Sequence, residues 1–237
     1  MYILDLTITI ATAVLAAASY LLGSISFAVI FTNHYAHTDV REHGSGNAGM
    51  TNVLRTAGKK PAILTFIFDF LKGAAATAVG KYLMLFVLAA LGEDLYSVVD
   101  PLYFAYLAGL FCIVGHIYPL YFSFKGGKGV ATMAGVFLVL DWRVLLIALA
   151  MFIIVVLISG IVSIGSVLAA MTLPVSTYLL YDRAHVYTFE LLGLPQYVVI
   201  TLFSALFALI VFIKHIPNMK RLVKGEEKRI FGKKKTK

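Results

Sequence analysis

Glycine, hydroxyl and cationic side chains are concentrated in two polar segments of an otherwise apolar chain. The first polar segment runs from Arg41 to Arg55 and reads Arg-Glu-His-Gly-Ser-Gly-Asn-Ala-Gly-Met-Thr-Asn-Val-Leu-Arg. Its glycines allow the backbone to approach a ligand closely and to direct successive N–H groups at an anion. Both arginines could bind phosphate oxygens through paired hydrogen bonds. The segment predicts a phosphate site, with a flexible polar loop as the alternative. The remaining residues that could line such a site are Gly44, Ser45, Gly46, Asn47, Gly49, Thr51 and Asn52.

The second polar segment runs from Gly115 to Thr132 and contains the glycine turn, which we define as Lys125-Gly126-Gly127-Lys128-Gly129. The turn precedes an apolar helical pattern, where backbone N–H groups, the helix dipole and two ammonium groups all favour an anion. The spacing of a nucleotide-binding P-loop is absent and no strand precedes the turn, so nucleotide hydrolysis is not indicated. A simple positively charged anchor at the cytoplasmic surface is the alternative interpretation.

Two further groups of polar residues interrupt apolar sequence. Asp69 and Lys72 lie three positions apart within an apolar run, where ionisable side chains usually pair or line a functional cavity. A structural ion pair and a substrate contact are both open for this pair. The other group follows the last apolar run and includes His215 and Asn218. His34 and Asp39 also have the H-x4-D spacing found in one large group of glycerolipid acyltransferases, but the phosphate motif of that group is missing.

The apolar amino-acid composition indicates a membrane protein. Of the 237 residues, 60% are apolar, and the mean hydropathy is +0.90, far above that of a soluble domain. Runs that could cross a bilayer are found at 6–32, 61–91, 102–122, 129–140, 144–158, 164–181 and 196–213. The sequence therefore predicts an all-α, polytopic membrane protein with seven transmembrane helices.

Charge in the loops predicts the orientation, because Lys and Arg mark the cytoplasmic side. Loops 33–60 and 123–128 are basic, whereas loop 92–101 carries only acidic residues. If Asp141-Trp142-Arg143 separates two helices, both basic loops lie on the same side as the C-terminus. We therefore expect the N-terminus outside and the C-terminus in the cytoplasm.

The C-terminal region carries ten Lys and Arg residues in its last 24 positions. Such a tail suits an anionic membrane surface better than nucleic acid, so no nucleic-acid partner is expected. We divide the chain into a membrane domain, 1–213, and a basic cytoplasmic tail, 214–237, whose first half would belong to the site. No cluster of His, Asp and Glu has the spacing of metal ligands, so no metal is implied.

Together, these segments resemble the motifs of the bacterial membrane acyl-phosphate:glycerol-3-phosphate acyltransferase family. The similar stretches are Gly23-Ser24-Ile25, Arg41 to Arg55, Asp69-x-x-Lys72-Gly73, Gly115-His116-x-Tyr118-Pro119, Phe122-x-Phe124 with the glycine turn and Val130-Ala131-Thr132, and His215-x-x-Asn218-x-x-Arg221-Leu222-x-x-Gly225-x-Glu227. Two positions depart from the family pattern: Ser26, usually proline, and Glu226, often threonine. Neither departure changes a cation or a glycine of the polar segments.

The resemblance implies an acyltransferase of the bacterial inner membrane, with its site facing the cytoplasm and no cofactor. It would transfer a fatty acyl group from acyl phosphate to the 1-position hydroxyl of sn-glycerol 3-phosphate. The products would be lysophosphatidic acid, which leaves into the membrane lipids for phospholipid synthesis, and phosphate. The catalytic residues implied are Ser45, Arg55, His215, Asn218 and Glu227. The substrate-binding residues implied are Ser24, Arg41, Gly44, Gly46, Asn47, Gly49, Thr51, Asn52, Lys72, His116, Lys125, Gly126, Gly127, Lys128 and Gly129.

A secondary transporter and a lipid-recruited scaffold are the alternatives to this enzyme. A secondary transporter of a phosphorylated metabolite would place its binding site near the middle of the membrane, within an internal repeat. The sequence has no visible repeat, and its anion-binding residues lie in loops on one side. A scaffold recruited to anionic lipid would explain the basic tail but would leave both polar segments unexplained.

Overall fold

The computed structural model describes residues 2–91, 100–181 and 194–230, and every regular element within these ranges is helical. The all-α prediction is therefore confirmed. The α-helices are α1 (Tyr2–Gly23), α2 (Phe27–Ala36), α3 (Met50–Thr56), α4 (Lys59–Leu91), α5 (Leu102–Ile117), α6 (Val130–Leu140), α7 (Trp142–Ser159), α8 (Val162–Leu180) and α9 (Gln196–Val223). Short 3-10 turns at Val40–Glu42 and Leu120–Phe122 lie in the connections.

Six stretches of the described chain are long and apolar enough to cross a membrane. They are Leu6–Ala36, Lys59–Leu91, Leu102–Phe122, Trp142–Ser159, Val162–Leu180 and Gln196–Val223. The predicted polytopic membrane protein is therefore confirmed. Helix α6 has 11 residues and is only about 16 Å long, too short to cross the hydrocarbon core unaided. The number of seven spans and the orientation of the termini stay predictions.

Asp141 separates α6 from α7, as the two-helix interpretation of residues 129–158 required. Its carboxylate accepts a hydrogen bond from the Arg143 backbone N–H at 2.9 Å, which caps the start of α7. The Arg143 guanidinium donates to the same carboxylate and also to the Leu180 carbonyl oxygen. One short acidic residue therefore ends one apolar helix and begins the next.

The described chain forms two compact units. Helices α1 to α6 belong to the first unit, and α7 to α9 with residues 224–230 belong to the second. Helix α9 continues through position 213, so the proposed boundary between domain and tail falls inside a helix. The division at that position stays a prediction. Four lysines of the basic tail and most of the acidic loop 92–101 lie outside the described residues.

Glycines let the helices of the first unit come into backbone contact. A Cβ atom at Gly23 would overlap the Cys112 carbonyl of α5, and one at Gly135 of α6 would overlap the Phe70 carbonyl of α4. Small residues permit such approaches in lipid, where helix association depends on close packing. These contacts hold α1, α4, α5 and α6 at the separation that positions both polar segments.

Cysteine labelling tests the predicted orientation. In a Cys112→Ala background, new cysteines replacing Met50, Lys125 and Ile230 should react only when the reagent reaches the cytoplasm. A cysteine replacing Tyr96, outside the described residues, should react from the external side. Labelling of position 230 from outside intact cells would contradict the predicted topology.

Candidate active site

Asn52 organises the first polar segment from inside. Its side chain is buried, and its amide nitrogen donates to the carbonyl oxygens of Val40 and His43 at 2.8 and 2.9 Å. The amide oxygen accepts from the Ser45 N–H at 3.0 Å. Gly44 adopts a left-handed φ of 62°, and a Cβ there would overlap the Asn52 oxygen. Asn52 therefore shapes the loop from within, although the motif implied that it contacts substrate.

Arg41 connects the two polar segments. Its Nε and Nη2 donate to the Asp39 carboxylate at 2.7–3.1 Å, and its Nη1 donates to the Phe122 carbonyl oxygen at 2.6 Å. The hydrogen bonds from Arg41 lower the pKa of the Asp39 carboxyl below its ordinary value. Each of the three guanidinium nitrogens therefore has a partner in the protein, and the predicted contact of Arg41 with phosphate stays a prediction. The Asp39 carboxylate of the H-x4-D spacing is likewise engaged.

Ser45 and Arg55 present their side chains to solvent. Ser45 lies at the tip of the first polar segment, and Arg55 lies in the last turn of α3. Within residues 2–91, 100–181 and 194–230, neither side chain has a hydrogen bond or ion pair. The other implied contacts of this segment, Gly46, Asn47, Gly49 and Thr51, are exposed or half-buried around them. This exposed surface could receive an anionic group.

The glycine turn packs against the end of α5. The Gly126 N–H donates to the Ile117 carbonyl oxygen at 3.2 Å, and the Gly127 N–H donates to the His116 carbonyl oxygen at 3.1 Å. A Cβ on Gly127 would collide with the His116 ring and come within 2.6 Å of the Ala48 carbonyl oxygen. The close approach expected at Gly127 is therefore made by the protein's own two segments.

The cations and the last glycine of the turn differ in exposure. Lys125 is exposed, and no side-chain partner lies among the described residues. Lys128 is half-buried, and Gly129 is buried with a φ of 82° immediately before α6 begins. Lys125 is thus the cation of this turn that is most accessible to a substrate phosphate.

Lys72 and Ser24 lie in the protein interior. The Lys72 ammonium is 2.8 Å from the Asp69 carboxylate and donates to the Ile25 carbonyl oxygen at 2.7 Å. That carbonyl lies in the break between α1 and α2. The buried Ser24 hydroxyl donates to the Tyr20 carbonyl oxygen. Of the two interpretations left open for Asp69 and Lys72, this geometry favours the structural ion pair.

Glu227 is the centre of a separate polar cluster in the second unit. Its Oε1 accepts hydrogen bonds from Asn218 at 2.6 Å and Ser163 at 2.8 Å, and its Oε2 accepts from the Arg221 Nε at 2.9 Å. The Ile230 N–H also donates to the Gly160 carbonyl oxygen. These bonds fasten the segment after α9 to the beginning of α8.

Opposing effects set the pKa of Glu227. Partial burial raises it, but the hydrogen bonds from Asn218, Ser163 and Arg221 outweigh burial, so the net pKa lies below its ordinary value.

In the same unit, Nδ1 of the buried His215 lies 2.8 Å from the Val211 carbonyl oxygen. Since a carbonyl only accepts, Nδ1 carries the proton of this contact.

Comparison with known proteins decides the family. A model of the family described as glycerol-3-phosphate acyltransferase matches residues 13–225. The chain belongs to this family. A glycerol-3-phosphate acyltransferase of Prochlorococcus marinus is 38% identical over 214 residues, which are 90% of this chain and 94% of the relative. Another from Clostridioides difficile is 38% identical over 221 residues, 93% of this chain and 96% of the relative.

Solved structures agree with this acyltransferase fold. The crystal structure of PlsY, an integral membrane glycerol 3-phosphate acyltransferase, in its glycerol 3-phosphate form matches with a TM-score of 0.74 and 30% identity. That match covers 94% of this chain and 96% of the PlsY chain. The lysophosphatidic acid form matches with a TM-score of 0.72 and 29% identity. The chain is thus a multi-span membrane acyltransferase that acts on glycerol 3-phosphate, as its motifs predicted.

Several residues of the acyltransferase escaped the sequence-based reasoning about the site. The Asp39 carboxylate and the Phe122 carbonyl position Arg41, and the Ser163 hydroxyl positions Glu227. Asp39 lies two residues before Arg41, a spacing that could have indicated the pair. Ser163 lies 64 positions before Glu227, and no local signal marks it.

Adding a methyl group at Gly127 should displace the glycine turn. The methyl of Gly127→Ala would press against the His116 ring and the Ala48 carbonyl oxygen, so the KM for glycerol 3-phosphate should rise roughly tenfold or more. Gly58→Ala is the control, because its methyl meets nothing within 4 Å although φ is 92°. Steady-state kinetics on equal amounts of membrane-inserted protein measures both variants. An unchanged KM in Gly127→Ala would contradict the role of this contact.

Glu227 should make stability depend on pH. Its folded-state pKa lies below the ordinary value of 4.5, so the ionised carboxylate stabilises the fold above pH 4.5 and that contribution is lost as pH falls further. Glu227→Gln should unfold at a lower temperature than the parent at pH 7, and the difference should shrink below pH 4.5. Thermal unfolding in detergent measures it, with the exposed neighbour Glu226→Gln as the control. If Glu227→Gln lowers the unfolding temperature by the same amount at pH 7 and below pH 4.5, the assignment is contradicted.

Proposed function

We propose that this acyltransferase uses acyl phosphate as its donor and acylates the 1-position hydroxyl of sn-glycerol 3-phosphate. The products are lysophosphatidic acid and inorganic phosphate, and the site faces the cytoplasm of a bacterial cell. The observation that carries the proposal is the joining of the first polar segment to the second, through Arg41 and Phe122 and through Ala48 and Gly127, with Arg55 and Lys125 left exposed. Two phosphate-bearing substrates match two exposed cationic positions on these neighbouring segments.

Glycerol 3-phosphate is assigned to the glycine turn. Lys125 is exposed and flanked by Gly126, whose backbone is held by α5. A preorganised turn with an accessible ammonium binds a small dianion without first having to order the loop. The solved glycerol 3-phosphate form of PlsY supports this acceptor, and its lysophosphatidic acid form supports the product.

The phosphate of the donor is assigned to Ser45 and Arg55. The acceptor hydroxyl attacks the acyl carbonyl carbon, a new ester C–O bond forms, and the bond between the acyl carbon and phosphate oxygen breaks. Negative charge develops on the departing phosphate, where the exposed Arg55 guanidinium and the Ser45 hydroxyl can stabilise it. The hydroxyl proton passes to the phosphate group of the acceptor. Because phosphate is a good leaving group, no acyl-enzyme intermediate is required.

The other site residues that the family resemblance implies in the first unit fall into two groups, one engaged within the protein and one accessible at the surface. Arg41, Asn52, Ser24 and Lys72 have their polar groups engaged within the protein, so we assign them to positioning. Exposed or half-buried residues around Ser45 and in the glycine turn are assigned to substrate contact. The residues in this second group are Gly46, Asn47, Gly49, Thr51, Lys125 and Lys128.

His215, Asn218 and Glu227 remain candidates for catalysis in the second unit. Glu227 accepts three side-chain hydrogen bonds, an arrangement that suits a residue orienting Asn218 rather than a general base. The His215 Nδ1 donates to the Val211 carbonyl oxygen, so Nε2 is the ring nitrogen that we assign to substrate. We therefore propose that Asn218 and His215 meet substrate and that Glu227 positions Asn218.

Assays with two different acyl donors test the assignment of acyl phosphate. Purified protein given labelled glycerol 3-phosphate should form lysophosphatidic acid with acyl phosphate and not with acyl-CoA, because the short polar segments offer no extended surface for a nucleotide carrier. Comparable rates with acyl-CoA would refute the donor while leaving acyl transfer intact. Transport without product would favour a phosphorylated-metabolite transporter.

Arg55→Lys tests the planar guanidinium. The substitution keeps the charge but loses the paired N–H groups, so kcat should fall roughly tenfold or more. Arg229→Lys is the matched control, since Arg229 is also exposed and has no ion pair among the described residues. A kcat equal to that of the control would remove Arg55 from the proposed transition-state site.

A further inference from the structure

A buried charged cluster lies directly beneath the glycine turn. Asp69 and Lys72 of α4 have side chains only 3% and 2% exposed, and His116 of α5 is 7% exposed. One carboxylate oxygen of Asp69 is 2.8 Å from the Lys72 ammonium and 3.5 Å from the His116 Nδ1. The cluster therefore joins two helices through a single carboxylate.

The cluster contains more interactions than the ion pair between Asp69 and Lys72. Lys72 already has Asp69 and the Ile25 carbonyl as partners, and its ammonium lies 5.5 Å from the centre of the Phe27 ring. Burying ionised groups is costly, and a buried pair is often no more stabilising than apolar residues of similar size. A structural ion pair of this kind can also fix the orientation of the groups around it, and ionisable groups at membrane depth commonly serve a function.

His116 carries the cluster to the glycine turn. Its carbonyl oxygen accepts the Gly127 N–H at 3.1 Å, and its ring occupies the space that a side chain at position 127 would need. The Ala48 carbonyl oxygen of the first polar segment borders the same space. The His116 ring thus lies against the turn at the point where the turn meets the first polar segment.

We infer that Asp69 is a positioning residue for the acceptor site: its carboxylate orients the His116 ring through Nδ1, and that ring sets the glycine turn against the first polar segment. This inference rests on the proposed role of the turn in holding glycerol 3-phosphate. Asp69 itself does not contact substrate. Its effect is on the KM for the acceptor more than on kcat.

Two amides that mimic different nitrogens of histidine provide the test. Asparagine places its amide nitrogen near the position of Nδ1, whereas glutamine places it near Nε2. Both variants should raise the KM for glycerol 3-phosphate because the ring against Gly127 is lost, but His116→Asn keeps a donor for Asp69, so its KM should be roughly threefold lower than that of His116→Gln. Both variants lose the ring, so a general packing defect would affect them alike. A KM in His116→Gln equal to or lower than that in His116→Asn overturns the inference.

The same pair in an Asp69→Asn background completes a double-mutant cycle. Asp69→Asn alone should raise the acceptor KM roughly tenfold, and the advantage of Asn over Gln at position 116 should disappear. An advantage that persists unchanged means that Asp69 serves only as the counter-ion of Lys72, which overturns the inference. If Asp69→Asn does not accumulate in membranes, the comparison in the parent background decides alone.

Lys125→Ala separates this inference from the proposed function. Loss of acceptor affinity in Lys125→Ala supports the turn as the glycerol 3-phosphate site. If Lys125→Ala leaves KM unchanged, the proposed acceptor site fails. The difference between the two amides at position 116 still reports whether Asp69 acts through His116.

Discussion

Backbone contact at glycine is the constraint on which the first unit depends. In lipid, water exclusion between helices contributes little, so helices associate where backbones can approach closely. Gly23, Gly115 and Gly135 each lie against a carbonyl of a neighbouring helix. Gly127 extends the same principle into the loops, where a Cβ atom would overlap both the His116 ring and the Ala48 carbonyl. A side chain at any of these positions would separate the elements that carry the site.

Polar groups within this framework follow a second constraint. Inside the unit, donors and acceptors must find partners in the protein, because hydrocarbon offers none. Lys72 is satisfied by Asp69 and a carbonyl released at the break between α1 and α2. Arg41, which lies partly exposed in a loop outside the spans, bonds to Asp39 and Phe122. These two cations thus have partners within the protein, whereas Arg55 and Lys125 are exposed.

A charged side chain, Glu227, also connects segments in the second unit, where it accepts hydrogen bonds from α8 and α9. Glu227 gathers hydrogen bonds from two residues of α9 and from Ser163 of α8, so a polar segment beyond the last helix becomes ordered. Since one carboxylate oxygen binds both Asn218 and Ser163, the orientation of Asn218 depends on a residue distant in sequence. Substitution at Ser163 would therefore act on a candidate catalytic side chain that it does not itself replace.

The sequence by itself determined the membrane class, the helical fold, the family and the positions of the polar segments. Apolar run length and motif spacing are local properties, and the distribution of Lys and Arg among the loops favoured the break at Asp141. Only the tertiary structure decided which polar residues are exposed. Arg41 and Arg55 look equivalent in sequence, yet Asp39 and Phe122 occupy one guanidinium and leave the other exposed. The reason is that hydrogen-bond partners and close backbone contacts come from distant parts of the chain, and spacing along the sequence does not encode them.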